Sequence, residues 1–173
     1  MKGAFLETER LILRKMSVKD FSVLSTMLQD REVMYAWEYI FTDEQVYAWI
    51  RRMNESYEKC GYAYFLAWDK QLCEVIGQIG LLREEIEGNE YIGIGYILCK
   101  KHWGKGYATE GAKACMEYAF RVLGASSVIA DIRPENLSSR TVAERIGMKM
   151  AGEYNKMVNG KVMPHLIYRA TNQ

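Results

Sequence analysis

Residues 100–111 read KKHWGKGYATEG, with Gly104 and Gly106 two apart, Lys105 between them, and Tyr107, Ala108 and Thr109 directly after. The stretch lies between a run of β formers ending near Leu98 and an amphipathic segment beginning near Lys105. The first turn of a helix leaves backbone N–H groups without internal partners and carries partial positive charge. Glycine lets an anion approach those groups because no Cβ stands in the way, and Lys105 adds a charge close by. The chemistry this suits is the holding of a diphosphate. A tight strand-to-helix turn would use the same glycines for packing alone, and the glycines by themselves do not separate the two readings. The pattern is not a Walker loop, which needs an upstream glycine and a Ser or Thr directly after the lysine. Gly93-Ile94-Gly95 is not a dinucleotide fingerprint, because no third glycine or helix follows in place.

The elements that must position this loop can be read from pattern. FLETERLILR (5–14) is aliphatic and partly alternating, which predicts a first strand, and Asp20 opens a short helix through FSVLSTMLQD. Thr42 with Gln45 three residues on fits a capping box. The helix it starts is predicted to run to Cys60, with Val46, Trp49, Ile50, Met53 and Tyr57 on one face and Gly61 as its stop. Three strands follow, at 62–68, 75–83 and 91–98, with Gly88-Asn89 as the turn between the last two. Beyond the glycine loop a helix carries Ala108, Ala112, Cys115, Met116, Ala119, Phe120 and Leu123 on one face. A strand at 126–132, a helix from about Leu137 to Gly147, and a hairpin turning at Asn159-Gly160 complete the chain. The order β-α-α-β-β-β-α-β-α-β-β predicts a mixed α/β domain of the α+β type: about seven mostly antiparallel strands with about four helices.

The totals exclude several function classes. The 173 residues suit one domain, 1–173, and no linker or repeat divides them. Lysine plus arginine number 23 against 22 acids, so no basic excess drives nucleic-acid binding, and any anion must be held locally. Cys60, Cys73, Cys99 and Cys115 form no C-x-x-C pair, and His102 and His165 lie far apart, so neither a metal site nor a disulfide framework is expected. The cysteines are expected to be reduced and mostly buried. MKGAFLETERLILRK has acids and arginines where a signal peptide needs an apolar core, and no apolar run reaches a membrane span. The expectation is a soluble, cytoplasmic protein.

WGKGYATEG resembles motif A, Q/R-x-x-G-x-G/A, of the GNAT acetyltransferase superfamily, in the form found in its RimJ/RimL-like ribosomal-protein N-terminal acetyltransferase branch. ETERLILR, IGQIGL, IGYIL and RPENLSSRTVAERIGMKMAGEY match the same branch in the same order, from about residue 6 to 169. The resemblance implies a GNAT fold and transfer of an acetyl group from acetyl-CoA to a primary amine by direct transfer in a ternary complex, with no metal. The amine would be a protein N-terminal α-amine or a small molecule, and the protein a monomer or a homodimer.

Residue by residue, the resemblance implies that the N–H groups of Gly104, Lys105, Gly106, Tyr107, Ala108 and Thr109 hold the pyrophosphate. The pantetheine arm would lie along Ile97, Leu98 and Cys99, where the strands at 91–98 and 126–132 splay, with an N–H of Ile97 or Leu98 polarising the thioester carbonyl. Asn136 would hydrogen-bond that arm, and Ser139 would approach the sulfur as thiolate partner, since Ala143 stands where many members have an acidic tyrosine. Tyr35, Trp37 and Glu38 fall where the superfamily builds its acceptor pocket. Aromatic walls with one carboxylate suit a cationic amine, and they equally describe a core-packing loop with an exposed glutamate. Gly93 stands where many relatives carry a glutamate base, so Glu38 is the catalytic candidate on this reading. Glu85 and Glu90 read as solvated hairpin charges and His102 as a surface residue. His165 follows Pro164, which replaces a family aspartate. The rivals are a non-catalytic acyl-CoA-binding sensor or regulator and a nucleotide-binding regulator.

Overall fold

The segment 5–14, expected as one strand, folds back on itself in the computed structural model, which describes residues 3–172. β1 (Ala4–Glu7) and β2 (Leu11–Arg14) pair antiparallel. The turn between them closes locally, with Thr8 N–H donating to the Leu11 carbonyl (2.9 Å) and Leu11 N–H to Thr8 Oγ1 (3.0 Å). Thr8 Oγ1 in turn donates to Glu110 Oε1 at 2.6 Å, so a residue about a hundred positions away helps to set this turn. Among the described residues the sheet therefore has eight strands, one more than the pattern counted.

Helix α1 (Phe21–Leu28) and helix α2 (Asp43–Cys60) follow. Both halves of the Thr42/Gln45 capping box form, Gly61 caps the far end of α2 at φ +80°, and the five residues assigned to its inner face are all buried. Next come β3 (Tyr64–Asp69), β4 (Glu74–Ile86) and β5 (Asn89–Leu98), an antiparallel meander. Its second turn is Glu87-Gly88, both left-handed (φ +51° and +78°), with Ile86 facing Asn89. That is one residue earlier than Gly88-Asn89: a two-residue turn of this hand needs positive φ at both positions, and Glu87 accepts it.

Helix α3 (Tyr107–Arg121), β6 (Ser127–Ile132), α4 (Leu137–Arg145), β7 (Lys149–Val158) and β8 (Lys161–Thr171) complete the order. Across the sheet the strands run β1-β2-β3-β4-β5-β6-β8-β7. The β7–β8 turn is Asn159-Gly160, as expected, with φ of +48° and +74°. Every pair is antiparallel except β5 with β6, which are parallel and meet only at Gly93 opposite Ile129. Helix α3 lies close on the sheet, since a Cβ at Gly111 would come within 2.5 Å of Ile79 Cδ1. Of the cysteines, Cys99 and Cys115 are buried, Cys60 is half-buried and Cys73 is exposed; all four are free. The expectation of mostly buried thiols thus holds for two of them. No helix among the described residues is long and apolar enough to cross a membrane.

Candidate active site

The glycine loop is shaped by its two left-handed positions, Gly104 (φ +72°) and Gly106 (φ +80°), the second of which is the N-cap of α3. The helix thus starts at Tyr107, two residues later than the pattern indicated. Gly106 has no side chain with which to cap, and none of the N–H groups from Gly104 to Thr109 finds an acceptor among the described residues. A Cβ at Gly104 would meet nothing within 4 Å, so the loop's outer side is open. These are the features an anion cradle needs.

The loop is held from behind. Arg10 Nε sits 2.6 Å from Glu110 Oε2, its backbone N–H donates to Glu110 Oε1 (2.9 Å), and its Nη1 donates to the Lys105 carbonyl (3.0 Å). The same guanidinium stacks 4.3 Å from the centre of the Tyr107 ring. Tyr107 is buried, so its side chain anchors the helix while its N–H remains at the loop. Trp103 Nε1 donates to the Leu98 carbonyl at 3.0 Å. His102, expected at the surface, is buried beneath the loop, with its ring edge against Tyr107 and Nε2 3.2 Å from Glu74 Oε1. Burial holds its imidazole below the usual range, the Glu74 charge only partly offsetting this.

Burial alone would raise the Glu110 carboxyl, but hydrogen bonds from Thr8, the Arg10 N–H and the Arg10 guanidinium outweigh it and hold the group below the ordinary carboxylate range. Asp20 is lowered in the same way, with Arg14 and Ser17 outweighing burial. Two native carboxylates with depressed values contribute stability that is whole above about pH 5 and lost as pH falls through those values, below the ordinary ~3.9–4.3. Thermal unfolding between pH 7 and 3 should show the melting temperature dropping most steeply below about pH 4. In Glu110→Gln it should start lower and fall less.

β5 runs on past Gly93 without a partner on the β6 side, and the opening between the two strands leads into a cavity of about 790 Å³. Ile97 and Leu98 line it, as do Trp103, Gly104 and Ala108 from the loop. Cys99 does not; its thiol is buried outside the cavity wall, and burial raises it above its usual range. On the facing side, Asn136 caps α4, its Oδ1 accepting from Ser139 N–H (3.2 Å), Ser138 Oγ (3.0 Å) and the Tyr35 hydroxyl (2.8 Å). Its Nδ2 donates to no group among the described residues. Tyr96 OH donates to the Ser139 carbonyl at 2.8 Å, which fixes Ser139 against β5.

Tyr35 and Trp37 also line the cavity, so the loop of residues 35–39 reaches it. Glu38 does not line it, and this corrects the assignment of Glu38 as a base. Glu38 is left-handed (φ +60°) and its carboxylate is clamped between Lys161 and Arg133, the latter Nη2 at 3.2 Å. The Lys161 hydrogen bond first, then that from Arg133, holds Glu38 below the ordinary carboxylate range, which makes it a weak base. Its place is a latch: it ties the 35–39 loop to the β7–β8 hairpin and to Arg133 just after β6. Glu85 is exposed, and Glu90 pairs with Arg83 at the exposed hairpin, as solvated charges should.

Sequence reasoning missed two groups. Arg10 belongs to the ETERLILR stretch that carried part of the resemblance, and the signal for it was a lone basic residue in a turn ahead of an apolar strand. Glu84, Asp131 and Lys156 form a charged cluster on the cavity wall, and each alone looks like an ordinary strand charge.

The fold has counterparts among known proteins. The Bacillus subtilis protein YkkB, itself uncharacterised, is 33% identical over 164 residues, covering 94% of this chain and 93% of its own. The uncharacterised N-acetyltransferase YnaD of the same organism is 30% identical over 155 residues, 88% of this chain and 87% of its own. A GNAT-family acetyltransferase from Bacillus anthracis superposes with a TM-score of 0.80 at 26% identity, covering 96% of this chain and 97% of that one. RimL, a ribosomal-protein α-N-acetyltransferase in complex with coenzyme A, shares the fold at a TM-score of 0.75 and 18% identity, over 95% of each chain. Residues 10–149 match the acetyltransferase (GNAT) domain, and over that span, which runs from the arginine bracing the loop to the start of β7, the chain belongs to the GNAT acetyltransferase family.

Proposed function

We propose that this protein is a cytoplasmic, single-domain enzyme that acetylates a small-molecule primary amine with acetyl-CoA. The observation that carries the reading is the continuity of three features: the cradle of free N–H groups at Gly104–Thr109, the unpaired edge of β5, and the cavity into which both lead. When bound, acetyl-CoA supplies an acetyl group activated as a thioester. The N–H groups of Gly104, Lys105, Gly106, Tyr107, Ala108 and Thr109 hold its pyrophosphate, with Lys105 adding charge. The free edge of β5 at Ile97 and Leu98 offers backbone groups to an extended arm, as a sheet edge does to an added strand. The free Nδ2 of Asn136 donates from the other side, and Ser139 stands as proton partner for sulfur. An N–H of Ile97 or Leu98 on β5 would stabilise the negative charge that develops on the carbonyl oxygen.

A small acceptor is favoured over a peptide by the latch. Lys161 and Arg133 on Glu38, together with Tyr35 on Asn136, close the 35–39 loop over the cavity from two sides. Tyr35 and Trp37 then form aromatic walls for a cationic amine. Thiol release from acetyl-CoA, measured against a panel of small primary amines and N-terminal peptides with Asn136→Ala beside the wild type, tests this. Release should depend on added amine and be faster with small amines. Asn136→Ala should raise the KM for acetyl-CoA about tenfold, the worth of one or two hydrogen bonds. Release that no amine raises above background, with coenzyme A still bound, would favour the non-catalytic binder instead.

A further inference from the structure

We infer that Glu84 is the group that takes the proton from the acceptor amine. This rests on the acetyl-transfer reading above and deepens it. Leu82 faces Gly93 across the β4–β5 pair and Glu84 faces Tyr91, so Glu84 and Gly93 are diagonal neighbours on one face of the sheet. A Cβ built on Gly93 would stand 2.7 Å from Glu84 Cγ and 3.6 Å from its Oε1. The Glu84 side chain therefore runs through the space that a side chain at 93 would need. Gly93 is also the one residue of β5 paired with β6. The carboxyl thus sits at the apex of the opening between those strands, and Glu84 lines the cavity.

Its neighbours divide the work between two carboxylates. Lys156 Nζ is 2.7 Å from Asp131 Oδ2 but 3.6 Å from Glu84 Oε2, and Tyr154 OH donates to the same Asp131 oxygen at 2.7 Å. Asp131 therefore has two close donors and Glu84 one distant cation. Burial first, then the Asp131 charge, raises the Glu84 carboxyl above the usual range, and Lys156 only partly opposes this. Asp131 is also raised by burial, but Lys156 and Tyr154 bring it below the usual range. Tyr64 from β3 is buried and held neutral, and Tyr91 lies opposite on β5. His165 from β8 donates Nδ1–H to the Met163 carbonyl (3.0 Å) and is pushed down by burial. One ammonium between two carboxylates leaves this cluster itself net negative on the cavity wall, where a cationic amine can pair with it. Of the arginines that also line the cavity, Arg83 is paired with Glu90 and Arg133 with Glu38 and Glu135, while Arg52 stacks on Trp49. The carboxylate with the raised value is the stronger base.

In the step, an N–H bond of the ammonium breaks with its electron pair staying on nitrogen, and an O–H bond forms on Glu84, directly or through one water. The neutral amine is then a nucleophile, and Glu84 later returns the proton to solvent.

The test uses the fastest amine of the panel and follows kcat/KM against pH for wild type, Glu84→Gln, His165→Gln, Glu84→Ala and Glu84→Ala/Gly93→Glu. Glu84→Gln should lose at least tenfold in kcat/KM together with the wild-type acid limb, with coenzyme A affinity unchanged. Gly93 does not lie at positive φ, so glutamate is permitted there once the Glu84 side chain is removed. The double variant should regain activity lost in Glu84→Ala, because it returns a carboxylate to the same space from the next strand. A carbon-13 titration of the glutamate carboxyls should show one midpoint above the ordinary range that is missing in Glu84→Gln. Glu84→Gln with full activity and an unshifted acid limb, a Glu84 midpoint in the ordinary range, or loss confined to His165→Gln would overturn the assignment while leaving acetyl transfer intact. A wild type inactive with every amine would overturn both.

Discussion

Arg10→Ala is expected to lower the melting temperature by roughly 4–8 °C and to weaken coenzyme A binding about tenfold, although Arg10 lies outside the glycine loop. The guanidinium and backbone of this one residue meet Glu110, the Lys105 carbonyl and the Tyr107 ring. Removing it leaves Glu110, whose side chain is only 19% exposed, with Thr8 and one N–H as its remaining donors. Hydrogen bonds to charged groups contribute about 1.5–3 kcal/mol. With the arginine itself nearly one-third exposed, about 2 kcal/mol is the appropriate scale. For a chain of this length, each kcal/mol shifts the melting temperature by about 2–4 °C. The affinity falls because the Lys105 carbonyl loses the donor that pins the loop. Arg10→Lys should recover little, since an ammonium cannot reach the carboxylate and the carbonyl in the same planar fork. Thermal unfolding together with calorimetric titration of coenzyme A separates the two effects. A variant that melts lower yet binds normally would show that Arg10 braces the hairpin and not the loop.

Gly106→Val should have the larger effect on binding, raising the coenzyme A Kd by about ten- to a hundredfold while moving the melting temperature by only a few degrees. Gly106 sits at φ +80°, where a residue with a Cβ is strained by about 1–2 kcal/mol and a β-branched one by more. Its Cβ would make only ordinary contact with Arg10 Nη2 at 3.5 Å, so the backbone conformation is what opposes the substitution. The chain can relieve this only by rotating the loop, and the N–H groups from Gly104 to Thr109 then no longer converge. Gly104→Ala should be milder, because its Cβ would meet nothing within 4 Å and only the φ of +72° opposes it. Normal binding by Gly106→Val would mean that the phosphates lie elsewhere.

Most of the elements were legible because their signals are local. The Thr42/Gln45 capping box, the Gly61 stop, the buried stripe of α2 and the Asn159-Gly160 turn each depend on residues within a few positions of one another. The glycine loop was legible for the same reason: free N–H groups at a helix start and glycines beside them are a property of a short stretch. The β1–β2 hairpin was not, because its turn is completed by Glu110 and nothing between residues 5 and 14 announces that partner. His102 was misplaced because a histidine between lysine and tryptophan looks exposed, and only the packing of α3 over β4 buries it.

The amino-acid sequence by itself determined the order of elements apart from the β1–β2 hairpin, the glycine turn at the start of α3 and the family, since these are written in short-range chemistry and in motif order. Which side chains face the cavity was decided by tertiary structure. Glu84 and Glu85 are adjacent glutamates on one strand, and alternation sends them to opposite faces. Only the packing of the sheet makes Glu84 the one that lies over Gly93 beside Asp131 and Lys156. Glu38 has the composition of a base, yet two cations brought from Arg133 and from the β7–β8 hairpin turn it into a latch. Charge and proton affinity in a folded chain depend on burial and on partners from distant segments, and those are assembled only when the sheet closes.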